Sequence, residues 1–222
     1  PGTFSLDEEL MAIADEVAGV GRGLFQFVSD NTFQQDEWRW LDHLGQVGVP
    51  VTYTMAQEPQ EPDGFRACLE RNQASNEAGQ SIAPQVPARP TGMLYGLQSS
   101  MHPFRAHPSF RAIADESHVE IVAHMRNPEF RARLLAEESA STNPFVRFMT
   151  TSFHQMFPLG DPTDYEPSPS TSVAAVAERE GRAPQEVVYD WMLAEDGKAM
   201  MFMPLGSYVD QDHEAIRAMI EH

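Results

Sequence analysis

Two residue types are nearly absent from this chain. Cysteine occurs once, at Cys68, and lysine occurs once, at Lys198. A single cysteine excludes an intrachain disulfide, which is usual for proteins of reducing compartments, so a cytoplasmic location is expected. Cys68 lies within the helical pattern of residues 65–69, and this position favours a small buried side chain over a reactive thiol.

Positive charge is scarce, and long apolar runs are missing. The 222 residues include 15 Lys and Arg against 33 Asp and Glu, a formal net charge of −18. This excess of acid argues against nucleic acid and anionic membrane as partners. No apolar run approaches the ~20 residues of a membrane span, and no secretory signal is visible. The charge itself says little about a substrate.

The first 86 residues alternate between strand and helix patterns. Predicted strands cover residues 23–29, 49–55 and 81–86, and predicted helices cover residues 9–17, a segment around 38–47, and 63–77. Short turns between such elements are typical of parallel βα units. Right-handed crossovers would place the three strands in one sheet, so the fold class is predicted to be α/β.

The pattern becomes irregular between residues 87 and 172 and regular again from 173 to 222. Short helices are predicted at residues 108–115, 117–125 and 127–138, followed by a turn-rich loop at 158–172 of the kind that forms binding elements or lids. Helices at 173–180 and 185–193, a strand at 199–205 and a last helix complete the chain. Four strands could form an open sheet, but the chain begins just before one helix and stops inside another. We therefore expect a segment of a longer protein.

A set of segments in fixed order carries a family resemblance. They are PGTFSLDEELMAIA, GRGLFQFVSD, VPVTYTMAQ, APQVPARPTGMLYGLQSSMHPF, MMFMPLGSYVD and the long stretch from FHQMFPLGDPTDYEPSPSTS to VVYDWML. Together they resemble the N-acyl-D-amino-acid deacylase (D-aminoacylase) branch of the amidohydrolase superfamily, and more closely a large bacterial subfamily assigned to it by homology. The resemblance extends over essentially the whole chain.

The resemblance implies part of a metal-dependent (β/α)8 TIM-type barrel from a hydrolase that acts on amide C–N bonds. The expected partner is a small-molecule substrate, and the expected reaction is deacylation of N-acyl-D-amino acids by attack of water. In this interpretation residues 1–222 are one partial barrel domain, with regular βα units at 1–86, an insertion and long loop at 87–172, and a further βα unit at 173–222. Another amidohydrolase reaction, such as cyclic-amide hydrolysis, and a non-catalytic barrel that binds a small acid are the alternatives.

The metal ligands implied by the resemblance do not match this chain. Two histidines of characterised D-aminoacylases align by strand with Val28 and Met55, and neither residue can ligate a zinc ion that activates water. Lys198 precedes its strand, which excludes it as a carboxylated bridging lysine. Zinc or another divalent metal is expected in the complete protein, with ligands mostly outside this segment. The segment alone is expected to have no deacylase activity.

Polar residues follow the three predicted strands. Asp30, Gln57, Gln85 and Arg89 would meet at the carboxyl edge of a parallel sheet, where an Arg beside amide groups suits a substrate carboxylate. Alternatively Asp30 caps a helix, Gln57 only ends its strand, and Arg89 forms an ion pair within a loop.

Among the histidines, His154 is the weak candidate for an acid or base. The spacing of His102 and His107 does not favour a metal pair, and His118 and His124 are predicted at the surface. No G-x-S-x-G motif, P-loop or Rossmann fingerprint is present.

An incomplete barrel would leave apolar strand residues and strand edges uncovered, so a homo-oligomer is predicted. The residues expected at its interface are Phe25, Phe27, Val51, Tyr53, Ile82, Met201 and Met203.

Overall fold

The computed structural model describes residues 7–29 and 35–222, which form a mixed α/β structure in two compact units. The first unit contains the chain up to Pro90 together with Gly206–His222, and the second unit contains Thr91–Leu205. The first unit is therefore discontinuous in sequence. In the described part of the chain, no helix combines the length and apolar character needed to cross a membrane.

Ten α-helices and six strands are assigned among the described residues. In chain order they are α1 (Asp7–Val20), β1 (Phe25–Phe27), α2 (Gln35–Gln46), β2 (Val51–Thr54), α3 (Gly64–Glu77), β3 (Ile82–Gln85), β4 (Thr91–Tyr95), α4 (Pro108–Ile113), α5 (His118–Arg126), α6 (Pro128–Ala136), α7 (Pro144–Thr151), β5 (Phe157–Pro158), α8 (Val173–Glu180), α9 (Pro184–Gly197), β6 (Met201–Gly206) and α10 (Glu214–Glu221).

The first unit is built on a parallel sheet of order β1-β2-β3. Phe25 pairs with Val51, and Val51 pairs with Ile82. The three predicted strands and their parallel pairing are confirmed, although each strand is shorter than predicted. The central strand β2 buries Val51 and Tyr53, as alternation along a strand requires when helices cover one face.

Aromatic side chains and residues of the four helices α1, α2, α3 and α10 fill the core of the first unit. Phe27 packs edge-on against Trp40 with 4.3 Å between ring centroids and stacks on Tyr53 at 5.5 Å. Cys68 of α3 is 1% exposed, which confirms its predicted burial. From the far end of the chain, α10 packs against α3 and adds Met219 to the same core.

The outer edge of β3 is closed by side chains of its own unit. Ile82 points its backbone polar groups away from β2, and the Asn76 side chain bonds both of them: the Ile82 N–H donates to Asn76 Oδ1 at 2.8 Å, and Asn76 Nδ2 donates to the Ile82 carbonyl at 2.9 Å. Pro84, the next residue on that edge, has no N–H to offer. Both features are known ways of protecting an edge strand.

The second unit contains a separate sheet of order β4-β6-β5, in which β5 and β6 are antiparallel. The predicted strand at residues 199–205 is confirmed as β6, but it belongs to this sheet rather than to the parallel one. A Cβ added to Gly92 of β4 would collide with the backbone at Met203, so glycine is needed for this close approach. Neither β4 nor β5 is predicted by the sequence pattern.

Helices α4–α9 surround a core of their own. Asn127 and Asn143 each precede a proline and accept hydrogen bonds from the first-turn amides of α6 and α7. The Tyr95 hydroxyl donates to the Met149 carbonyl at 2.7 Å within the core. The helices predicted in this region are confirmed with small shifts in their ends, whereas α7 is not among the predicted helices.

Most residues expected at an oligomer interface are buried within the chain itself. Val51, Tyr53, Ile82, Met201 and Met203 are at most 4% exposed. Phe25 and Phe27 are half-buried. The predicted oligomer interface required these apolar side chains to be exposed, and at those five positions they are not. Oligomerisation itself stays a prediction.

Replacing Asn76 with Ala should destabilise the first unit and open its sheet edge. The change removes two hydrogen bonds to Ile82 and leaves its backbone groups unpaired, at an expected cost of about 2 kcal/mol in the free energy of unfolding. Urea unfolding followed by the fluorescence of Trp38 and Trp40 would measure it. Gln73→Ala, on the exposed face of α3, is the control and should change stability by less than about 0.5 kcal/mol. Equal stability of the two variants would contradict the role given to Asn76.

Candidate functional site

The candidate site is the carboxyl edge of the parallel sheet in the first unit. In parallel α/β sheets this edge is where ligands bind, because the loops that follow the strands meet there. Thr54 pairs with Gln85 at the ends of β2 and β3. The Ser29 N–H donates to Thr54 Oγ1 at 3.1 Å. Polar groups that follow or end all three strands thus lie along one edge.

The four predicted substrate-binding residues differ in location and exposure. Asp30 lies outside the described residues. Gln85 is exposed at the end of β3, and Arg89 is exposed in the loop that follows it. Gln57 is 1% exposed. The structure therefore leaves Gln85 and Arg89 accessible to a ligand, whereas the side chain of Gln57 is enclosed.

Gln57 joins the carboxyl edge to the segment that follows β6. Its Nε2 donates to Asp210 Oδ2 at 2.6 Å, and its Oε1 accepts from the Val209 N–H at 3.0 Å. Its backbone N–H donates to Ser207 Oγ at 3.3 Å, and its carbonyl accepts from the Ser207 N–H at 2.9 Å. We call this set of four hydrogen bonds the Gln57 clasp. The clasp holds residues 207–210 at the sheet edge and orients the exposed Asp210 carboxylate.

The clasp also fixes an unfavourable backbone conformation. Ser207 is fully buried and has φ of 62°, in the left-handed region that non-glycine residues seldom occupy. Such a residue costs on the order of 1 kcal/mol or more and persists only where surrounding contacts impose it. Gln211 has the same φ just after Asp210. Backbone of this kind is concentrated at functional sites in many proteins.

Glu58 adds a second carboxyl group beside the clasp. It directly follows Gln57 and is half-buried. Burial raises the pKa of the Glu58 carboxyl above its ordinary value, because the charged form loses hydration. A carboxyl group with a raised pKa can hold a proton closer to neutral pH and release it to a reacting group. Glu58 and Asp210 together give this edge the residue types for acid–base chemistry.

The residues at the two metal positions implied by the resemblance do not fit a metal site. Val28 is 73% exposed and has no donor atom, and Met55 is 1% exposed in the core. Within residues 7–29 and 35–222, no group of three His, Cys, Asp or Glu residues is arranged to hold a metal ion. The donor set of the described chain therefore does not support metal ligation at this edge.

The five histidines considered above, His102, His107, His118, His124 and His154, all belong to the second unit. His154 is exposed in a short 3-10 turn (Phe153–Gln155). His124 is exposed, as predicted, and its Nε2 lies 3.1 Å from Glu116. His118 is half-buried and bonded to the Asp196 carbonyl at 3.0 Å. Neither of these two contacts joins a histidine to the clasp.

His102 is a structural residue of the second unit. It is fully buried, its Nδ1 accepts from the Phe104 N–H at 3.2 Å, and its ring packs edge-on against Phe110. Burial, together with the nearby positive charges of Arg105 and His107, lowers the pKa of His102 to about 3. The imidazole is therefore neutral at physiological pH.

Sequence reasoning missed Asp210, Ser207 and Glu58. The pattern at residues 210–212 predicts a helix cap, and the Asp212 carboxylate does accept from the Glu214 N–H at 2.9 Å. The bond from Asp210 to Gln57 joins positions 153 residues apart, so no local pattern could indicate it. Glu58 could have been singled out as the first acidic residue after β2.

Comparison with known proteins adds no assignment. No protein-family model matches the chain. No curated protein and no solved structure shows significant similarity to it. Membership of the amidohydrolase superfamily therefore stays a prediction from the resemblance of the segments quoted above.

Replacing Gln57 with Leu should destabilise the first unit strongly. The change keeps the volume but removes two side-chain hydrogen bonds and leaves the Val209 N–H without its acceptor, at an expected cost of about 2–3 kcal/mol in the free energy of unfolding. Urea unfolding monitored by tryptophan fluorescence would measure the loss. Gln60→Leu, at an exposed position three residues away, should cost under about 0.5 kcal/mol. If Gln57→Leu left the free energy of unfolding unchanged, the clasp would contribute nothing to stability.

The buried His102 predicts a loss of stability in acid. Below pH 6.5 the unfolded chain protonates this histidine, whereas the folded chain keeps it neutral down to about pH 3. The unfolded state then binds more protons, so the free energy of unfolding falls as pH falls through this window, approaching ~1.4 kcal/mol per pH unit from this group. Urea titrations between pH 7 and pH 4 would measure the free energy of unfolding at each pH. Its dependence on pH should become weaker in His102→Asn and should stay unchanged in the control His154→Asn. Parallel slopes for both variants would contradict the prediction.

Proposed function

We propose that this chain belongs to an enzyme that hydrolyses the amide C–N bond of N-acyl amino acids, with N-acyl-D-amino acids as the first substrates to test. The observation that carries the proposal is the Asp210 carboxylate, oriented by Gln57 at the carboxyl edge of a parallel sheet. Parallel βα folds place their chemistry at this edge. The family resemblance supports the same reaction class and implies that activity belongs to a longer protein.

In the complete protein, β1, β2 and β3 would be neighbouring strands of a (β/α)8 barrel, and the second unit would be an insertion. The parallel pairing and the helices between the strands support this arrangement. A cytoplasmic location and homo-oligomerisation are part of the same proposal. The zinc or other divalent metal that the resemblance implies would take its ligands from outside the described residues.

Roles for individual residues follow from charge and exposure. The Arg89 guanidinium would bind the substrate carboxylate in bidentate fashion, and the Gln85 amide would hydrogen-bond the acyl amide. Asp210 would accept a proton from the attacking water, and Glu58 would donate a proton to the departing amine. Water then forms the new C–O bond as the C–N bond breaks, which releases a carboxylate and a free amino acid. His154 is the alternative proton donor.

Two other functions remain as alternatives. Cyclic-amide hydrolysis would use the same acid and base on a ring substrate. Binding of a small acid without turnover is favoured by one observation, namely that Val28 and Met55 stand where the resembling enzymes carry metal-binding histidines.

The test is an assay of the complete protein that contains this chain, loaded with zinc and supplied with N-acyl amino acids of both chiralities. Release of free amino acid supports the proposal. Turnover of hydantoins or dihydropyrimidines alone would establish the cyclic-amide alternative. Saturable binding of N-acyl amino acids without turnover would establish the non-catalytic one.

Replacing Arg89 with Gln in that protein should mainly weaken substrate binding. Loss of a bidentate contact to a carboxylate should raise KM about tenfold and leave kcat within about twofold, a loss of ~1.4 kcal/mol in transition-state stabilisation. Steady-state kinetics would measure both constants. Arg22→Gln, which lies before β1 and therefore at the opposite edge of the sheet, is the control. A kcat/KM within about twofold of the parent would rule out substrate binding by Arg89.

A further inference from the structure

A second candidate binding site lies within the second unit. A cavity of about 260 Å³ is enclosed by the turn at residues 103–107, the end of α6, the helix α7 and the start of α9. Its volume is just below the ~300–1,000 Å³ typical of sites for drug-sized ligands. We call it the His107 cavity. A ligand of amino-acid size would fit it.

One part of the lining of the His107 cavity is apolar. Phe104 and Leu134 line it and are at most 1% exposed, and Leu135 and Phe153 line it with half-buried side chains. Apolar walls of this kind bind an aliphatic or aromatic group by removing its surface from water. The ligand therefore has an apolar part.

His107 presents a buried polar atom without a partner. The residue lines the cavity and is 9% exposed, and its Nδ1 makes no hydrogen bond to the described residues. Buried polar atoms in native proteins are nearly always paired, because leaving one unpaired is costly. A ligand that hydrogen-bonds this imidazole would supply the missing partner.

The cavity also carries two opposite charges that are not paired with each other. Arg147 of α7 and Glu138 line it, and both are exposed. No ion pair within residues 7–29 and 35–222 involves Arg147 or Glu138. A ligand with both a negative and a positive group could therefore bind the two residues at once.

The remaining polar groups favour a ligand with a positively charged donor. Glu137 also lines the cavity, and its carboxylate accepts from the hydroxyl and the N–H of Ser109. The hydroxyls of Thr150 and Thr151 donate to helix carbonyls, so toward a ligand they can only accept. Two carboxylates and one guanidinium disfavour a simple anion. An ammonium group, by contrast, would find several acceptors.

We propose that the His107 cavity binds a free α-amino acid with an apolar side chain. The ligand carboxylate contacts Arg147. Its ammonium group donates to Glu138, to the threonine oxygens and to the unpaired Nδ1 of His107, and its side chain packs on Phe104 and Leu134. All residues of this site belong to the second unit, and the site does not depend on the amidohydrolase proposal.

Calorimetric titration of the 222-residue chain with leucine, methionine and phenylalanine, each in both chiralities, tests the proposal. Saturable binding of at least one of them is expected. Leucinamide lacks the carboxylate and N-acetylleucine lacks the ammonium group, so each should bind at least about tenfold more weakly than leucine, as loss of one charge-assisted contact predicts. Absence of binding by all the free amino acids at millimolar concentration would overturn the proposal.

Variants locate the binding. Arg147→Gln and Glu138→Gln should each weaken binding about tenfold, and Arg147→Gln should abolish the preference for leucine over leucinamide. The matched controls are Arg111→Gln on α4 and Glu178→Gln on α8, exposed positions that do not line the cavity. They should bind like the parent. Equal affinity for the amino acid in the cavity variants and the controls would show that it does not bind in the His107 cavity. Because binding is measured without turnover, a failure of catalysis leaves this result unaffected.

Discussion

The Gln57 clasp is the contact on which the first unit depends. It joins residues 57 and 210, between which the whole second unit is placed in the sequence. Bringing together chain positions so far apart costs loop-closure entropy, although this cost grows only slowly with loop length. The four hydrogen bonds of the buried Gln57 offset that entropy cost. The packing of α10 on α3 adds apolar contacts. Without the clasp, Asp210 would have no fixed position at the sheet edge.

The two candidate sites differ in how their charged groups are held. At the carboxyl edge, Asp210 is oriented by a buried amide, and the neighbouring Glu58 is half-buried. A carboxylate held in place, as that of Asp210 is, suits a reaction, because a catalytic group has to be in place before the transition state forms. In the His107 cavity, Arg147 and Glu138 are exposed and unpaired among the described residues. Groups of this kind can adjust to a ligand, which suits reversible binding.

The sequence predicted those helices and strands whose signals, such as caps and apolar periodicity, lie within or next to the element itself. The parallel order of β1, β2 and β3 follows from strand patterns separated by helices, and α8 has both of its predicted ends because Ser172 caps its start and Gly181 ends it in the left-handed conformation. The helix α7 has the same Asn-Pro start as α6 and could have been predicted from it. The two-residue strand β5 exists only through its pairing with β6, so its own sequence carries no signal. The clasp and the His107 cavity likewise depend on residues distant in sequence.

The closed edge of β3 limits the size of the parallel sheet. A fourth parallel strand could join this edge only if Asn76 released both backbone groups of Ile82 and turned its amide elsewhere. Even then Pro84 would offer the new strand a carbonyl but no N–H. The rotamer of a single asparagine therefore distinguishes a sheet that ends at β3 from one that continues around a barrel. In a structure of the complete protein, the position of the Asn76 amide would report which of the two has formed.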